Sequence, residues 1–228
     1  MRKLPPITQI LSDGDWDGSA ALIYGGGSSL SDVRMHIADR CPGVQTIGIN
    51  WGWTLRPDLV LISDRQVFEL IYANPVFYTQ YGHLPEETIQ VTHEQSRQYD
   101  ELPQRFKSLK YVKITSKVRG GTLADGLYPA GDTGTLALLL ANALGADPVY
   151  LIGFDCRGED GQTTNWHDAY PESWKQRADA IYPQVIREME RVAPHLECRV
   201  INVESFPGAS ALECFEKLSA EKLAGHFS

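Results

Sequence analysis

The chain is poor in the residues that would announce a metal centre, a disulfide framework or a nucleic-acid surface. It has four cysteines in 228 residues. Cys41, Cys156, Cys198 and Cys214 lie too far apart for a Cys-x-x-Cys metal or redox motif, and a chain of this size needs no staples, so they read as reduced structural thiols. No apolar run approaches the roughly 18 residues of a membrane span. The start, Met-Arg-Lys-Leu-Pro-Pro, lacks the apolar segment of a signal peptide. These absences predict a protein of the cytoplasm with no membrane span. Basic residues are also short, 21 against 29 acidic ones for a formal charge of −8, which argues against nucleic acid as a partner. The densest basic stretch, Arg105 to Arg119, reads as a solvated edge. There is no Gly-x-Gly-x-x-Gly fingerprint, no P-loop and no Gly-x-Ser-x-Gly elbow. His36, His83, His93, His195 and His226 show no metal-ligand spacing, so no metal site is assigned.

What is present is a core, with 43% apolar and 10% aromatic residues. Its clearest block runs from Gly131 to Asp155. A helix opens at Gly-Asp-Thr-Gly, continues through an apolar stretch, stops at Gly145, and hands over at Pro148 to a strand that ends at Asp155. Before it come short apolar runs at Ala20–Tyr24, Val44–Asn50 and Asp58–Ser63, continuous enough to suit parallel strands covered on both faces. Further strands are expected at Thr88–Thr92, Tyr111–Thr115 and Cys198–Val203. Helices are expected at Gln66–Tyr78, Ser173–Val192 and Ser210–Leu223. Alternation of this kind predicts one α/β domain over residues 1–228, a doubly wound, mostly parallel, Rossmann-like sheet, with an irregular lid or insertion at about 74–132. A homo-oligomer is compatible with it.

Ligands of open α/β sheets bind outside the carboxyl ends of the strands. That rule gathers Gly25, Gly26, Gly27, Ser28, Ser29, Asn50, Asp64, Asp155, Glu204 and the turn Asp132-Thr133-Gly134 on one rim. The glycine run lets backbone N–H groups approach an anion, the two serines add hydroxyls, and the helix opening at Thr133 points its positive end at the same place; a plain tight turn is the other reading of the run. Asn50 has an amide for a base or ribose, with Trp51 or Trp53 to stack on it, or ends a simple turn beside core tryptophans. Asp64 and Asp155 are placed either for a ribose hydroxyl or magnesium, or to cap the following helix. His167, in the polar stretch Thr-Asn-Trp-His-Asp, is either a general base or an exposed loop histidine.

The order of these motifs resembles a group of Rossmann-like transferases. It comprises the bacterial lipooligosaccharide sialyltransferases, the flagellin-glycosylating motility accessory factor proteins and the archaeal hydroxymethylpterin diphosphokinases. The resemblance is carried by Gly25-Gly-Gly-Ser-Ser-Leu30, Asn50, Asp64, Asp132-Thr-Gly134 and Leu144-Gly-Ala-Asp-Pro-Val-Tyr-Leu-Ile-Gly-Phe-Asp155, with His167 matching the general-base histidine of the sialyltransferases. Ser28 replaces the group's usual proline, Asp132-Thr133 its Thr-Ser pair, and Asp64 an asparagine. The resemblance implies a glycosyltransferase that uses a nucleotide-activated donor, with Gly25 to Ser29, Asn50, Asp64, Asp132, Thr133, Gly134 and Asp155 holding the nucleotide. Two alternatives accompany it. One is a diphosphokinase using ATP, with magnesium on Asp64 and Asp155; the other is a nucleotide- or partner-binding protein without turnover.

Overall fold

The computed structural model describes residues 5–31, 43–64, 66, 67, 70, 88–93, 109–114, 121–159, 162, 163, 165, 170, 178–206 and 208–227. Eight strands form one sheet: β1 (Ala21–Tyr24), β2 (Gln45–Ile49), β3 (Leu59–Leu61), β4 (Ile89–His93), β5 (Leu109–Val112), β8 (Val149–Ile152), β11 (Val200–Glu204) and β12 (Glu216–Ser219). Two-residue strands, β6 (Gly121–Thr122) with β7 (Gly126–Leu127) and β9 (Gly158–Glu159) with β10 (Gln162–Thr163), make two small antiparallel ribbons. The sheet order is β12-β11-β8-β1-β2-β3-β4-β5, and every pair in it is parallel. The predicted doubly wound α/β sheet is therefore what the chain adopts. From β1 the chain first winds one way through β2 to β5, then crosses to β8 on the other side. The switch point, where such folds open a crevice, lies between the carboxyl ends of β1 and β8.

Alternation along β1 divides the core. Ala21 and Ile23 face a large cluster that holds helix α1 (Thr133–Ala143) and the buried edge of helix α2 (Ala178–Val192), whereas Leu22 and Tyr24 face a smaller cluster closed by helix α3 (Ala220–His226). Helix α1 is apolar on all sides and buried from Thr133 through Ala141, as a helix sandwiched between a sheet and other elements must be. Both of its ends are locally encoded. Asp132 caps the start by accepting from Thr135 N–H at 2.7 Å, and Gly145, at φ 85°, ends it in a Schellman motif, with Ala146 N bonded to Ala141 O and Gly145 N to Asn142 O.

One predicted helix is replaced. Residues 210–223 carry spaced leucines, but Ser210 donates its hydroxyl to Phe154 O and accepts from Leu212 N–H, which pins the segment across the sheet. The following alternation, Glu216-Lys-Leu-Ser219, pairs beside β11 as the edge strand β12, and the helix begins only at Ala220. Strand pairing outside the local sequence overrides the helical spacing here. Of the predicted 74–132 insertion, residues 89–93 and 109–112 supply β4 and β5 at the far edge of the sheet. Most of the predicted Gln66–Tyr78 helix, the first turn of the Ser173–Val192 helix, Cys41 and His167 lie outside the described residues.

Candidate functional site

At the switch point a cleft of about 740 Å³ opens between the ends of β1, β2, β3 and β8, the start of α1 and one face of α2. Gly25, Gly26, Gly27, Asn50, Asp64, Asp132, Thr133 and Gly134 line it, so most of the residues gathered from the sequence do meet. Ser28, Ser29 and Asp155 are adjacent to the lining residues but do not line the cleft themselves.

Asp155 explains why. Its carboxylate is buried, 6% exposed, and accepts from Ser29 N–H at 3.0 Å, from the Ser29 hydroxyl at 2.5 Å and from the Ser28 hydroxyl at 3.5 Å. Residues 29–31 are helical, so Asp155 caps a helix that begins 126 residues earlier in the chain. The sequence suggests capping of a following helix; the helix served is the one after β1. Asp64 does cap locally, its Oδ1 accepting from Gln66 and Val67 N–H at 2.7 and 3.3 Å. A magnesium ion on this pair does not fit: Asp155 spends both oxygens on the serines and is absent from the lining, and Asp64 has given up one oxygen. Among the described residues no group of three His, Cys, Asp or Glu is arranged to hold a metal.

The glycines separate by what a side chain would meet. A Cβ on Gly25 would collide with Gly153 O, and one on Gly27 with the Asp155 carboxylate and Gly153 O. These two are glycine because the β1 turn packs directly on the end of β8. Gly26 has only Asn165 Oδ1 near, at 3.7 Å, and faces the cleft. Gly134 is also a packing glycine, since its Cβ would lie 2.7 Å from the Phe154 ring.

The start of α1 is more self-contained than its sequence suggests. Asp132 takes the N–H groups of Gly134 and Thr135 and the Thr135 hydroxyl. Burial raises the Asp132 carboxyl above its ordinary value against the pull of the Thr135 bonds, and nearby Glu188 adds to the rise. Thr133 instead pairs its hydroxyl with that of Ser63, from the end of β3, at 2.5 Å.

Asn50 turns the chain at φ 49°, a left-handed conformation that asparagine tolerates. Of the two readings of Trp51 and Trp53, stacking on a ligand or core, the second holds: both are buried and packed edge to face at 5.8 Å. The aromatic residues among the described lining are Phe154, Tyr170 and Tyr182, of which the two tyrosines carry no motif signal in the local sequence. Tyr170 packs on Trp51 with centroids 6.4 Å apart, and burial, with Asp64 nearby, holds its phenol well above the usual range, so it stays a neutral hydroxyl. Cys156 also reaches the cleft, but burial and the carboxylates of Asp132 and Asp155 push its thiol up to about 12, which leaves no thiolate for nucleophilic chemistry. The wall also includes Gln66, Asn165, Gln184 and an apolar face with Ile114, Ile181 and Val185, of which Ile181 is 48% exposed. No lysine, arginine or histidine is among the described lining residues.

No family model matches the sequence, and no curated protein matches it. Among solved structures, the fold is similar to that of the MAf glycosyltransferase from Magnetospirillum magneticum AMB-1. The match has a TM-score of 0.57 at 14% identity, over 92% of this chain and 36% of that one. The chain thus spans about a third of that protein's length. The sialyltransferase CstII from Campylobacter jejuni, solved with the substrate analogue CMP-3FNeuAc, aligns with a TM-score of 0.46 at 15% identity, over 87% of this chain and 84% of that one. At such identities the likeness to the MAf enzyme establishes a shared Rossmann-like fold.

Proposed function

We propose that the protein is a glycosyltransferase-like enzyme whose cleft binds a nucleotide-activated sugar and whose acceptor is a hydroxyl group. The observation that carries this reading is the chemistry of the cleft wall. Hydroxyls (Ser63, Thr133), amides (Asn50, Gln66, Asn165, Gln184) and two tyrosine rings surround it, and the described lining offers carboxylates but no side-chain cation. Such a wall suits a polyhydroxylated ligand carrying little phosphate charge. A polyphosphate such as ATP would meet Asp64 and Asp132, and none of the described lining residues carries a cation to offset them, so the described wall favours the glycosyl-transfer reading over the diphosphokinase one. The fold shared with the MAf glycosyltransferase agrees with the assignment.

In this reading the Gly26 backbone and the hydroxyl pair on Ser63 and Thr133 hold the leaving phosphate with neutral hydrogen bonds, in a site already folded around them. Asn50 and Asp64 take the nucleoside, and Tyr170 lies beside it. His167 removes the acceptor proton. Its assignment draws support from Asn165, two positions earlier, which forms a β-bridge with Gly27 and lines the cleft.

A thermal-shift screen against CMP, UDP and ATP, each with and without magnesium, tests the proposal, since a ligand at 100 times its dissociation constant stabilises by about 2.7 kcal/mol. A shift with CMP or UDP that needs no metal is expected. A shift with magnesium-ATP alone would restore the diphosphokinase, and no shift would favour a protein without turnover. In the active enzyme, His167→Ala should lower kcat by about 10²–10⁴ with donor affinity retained.

A further inference from the structure

Asn50 and Tyr170 are joined in a way the proposed function does not use. A side-chain amide has one donor end and one acceptor end. The phenol oxygen of Tyr170 is hydrogen-bonded to the Asn50 side chain, while Asn50 Oδ1 is buried and has no hydrogen-bond partner. The bond therefore runs from Asn50 Nδ2–H to Tyr170 Oη. Trp51, the next residue after Asn50, packs on the Tyr170 ring and is itself buried, so the ring has little freedom to leave. The left-handed turn at Asn50 fixes the other end of the pair. Both residues line the cleft. A buried acceptor without a partner is costly to keep, and one on a residue that lines a cleft can be completed by a donor group of a ligand.

We propose that Tyr170 is a specificity-determining positioning residue: by accepting the Asn50 amide N–H, it commits Asn50 Oδ1 to the cleft as an acceptor for an O–H or N–H group of the bound nucleoside. This rests on the nucleotide reading of the cleft. Its consequence is selective. At this point the ligand presents a donor, a ribose hydroxyl or a base amino group, and a phosphate oxygen is rejected because two acceptors would face each other. Without Tyr170 the amide is free to turn and offer either end, and that discrimination fades. Asp64, whose charge also acts on Tyr170, reinforces the choice by keeping anionic groups away from this corner.

The test is isothermal titration of the full chain with CMP, UMP and UDP and with the 2′-deoxy and 3′-deoxy forms of each. In the unaltered protein one donor deletion, at the 2′-hydroxyl, the 3′-hydroxyl or the amino group that distinguishes CMP from UMP, should weaken binding by about tenfold or more, and which deletion does so identifies the group. Asn50→Ala should shrink that ratio to about twofold or less. Tyr170→Phe should shrink it at least about threefold while the parent nucleotide still binds. Asn50→Asp keeps an oxygen toward the cleft and accepts from the tyrosine hydroxyl, so it should preserve the ratio, which a purely structural role for the pair would not require. Melting curves of each variant confirm folding, and Asn50→Asp against Asn50→Ala decides the acceptor role even if Tyr170→Phe does not fold. A ratio unchanged in Tyr170→Phe overturns the positioning role, and a ratio unchanged in Asn50→Ala overturns the acceptor role. Failure of the unaltered protein to bind any of these nucleotides overturns the nucleotide reading itself, and the inference falls with it.

Discussion

Replacing Asp155 separates a structural carboxylate from a ligand-binding one. The side chain receives two good hydrogen bonds from Ser29, at 3.0 and 2.5 Å, and a long one from Ser28 at 3.5 Å. Bonds to a charged acceptor contribute about 1.5–3 kcal/mol each. Asp155→Ala removes both good ones and strands the buried Ser29 N–H and hydroxyl, so a loss of about 3–5 kcal/mol is expected. At roughly 2–4 °C per kcal/mol for a chain of this size, Tm should fall by about 6–20 °C. Asp155→Asn behaves differently. Its oxygen can still accept from Ser29 N–H, and the Ser29 hydroxyl can rotate to accept from the new amide, so the bonds persist without charge assistance and roughly half the loss remains, about 1.5–2.5 kcal/mol. Because Asp155 is not part of the cleft wall, the thermal shift that a saturating nucleotide produces should be the same in Asp155→Asn as in the parent. Circular dichroism melts with and without nucleotide read both quantities. An Asp155→Asn protein that melts like the parent but gives no ligand shift would refute the reasoning, because the carboxylate would then act on the ligand and not on the helix.

Three further outcomes are expected. Gly26→Ala should fold normally and weaken nucleotide binding, whereas Gly27→Ala should lower Tm because its Cβ meets the Asp155 carboxylate and Gly153 O; equal loss of stability in both would remove the case for ligand contact at Gly26. Burial raises the Asp132 carboxyl, so its contribution to stability is fully present below the unfolded value near 3.8 and is lost as pH rises through the folded value. The Tm advantage of Asp132→Asn over the parent should therefore grow as pH rises from about 4 and then level off, and its advantage in nucleotide affinity should follow the same course; a difference independent of pH would exclude a shifted carboxyl. Asn202 in β11 is fully buried with neither end of its amide hydrogen-bonded, so Asn202→Leu should raise Tm by relieving about 1–2 kcal/mol, and a fall in Tm would reveal a bound water at the amide.

How far the sequence could be read depended on the range of the interactions involved. The α1–β8 block was legible almost residue by residue, since its cap, its αL glycine and its apolar runs are all signals within one or two turns of what they control. The rim followed from topology alone, through the rule for strand ends. What escaped was partnership at a distance. Nothing near Asp155 reveals that Ser29 will consume its oxygens, and nothing near Gly134 reveals the Phe154 ring that demands a glycine. Trp51 and Trp53 look like stacking residues because they follow a strand end, yet the turn that exposes Asn50 buries both of them. Tyr170 had no periodic context to mark it; the only local signal was its place three residues after His167 in the polar stretch that includes Asn165.

Chain order in the sheet also bears on synthesis. β1 pairs on one side with β2, which follows it closely, and on the other with β8, which begins about a hundred residues after β2 ends. At 5–20 residues per second on the ribosome, the second edge of β1 stays open for about 5–20 s, an apolar four-residue edge able to pair with any other nascent strand. The Gly25–Gly27 turn cannot settle in that interval, because its packing surface, the end of β8, has yet to be made. The cleft should therefore form only after β8 has left the ribosome, and chaperone dependence should concentrate in the interval before β8 arrives.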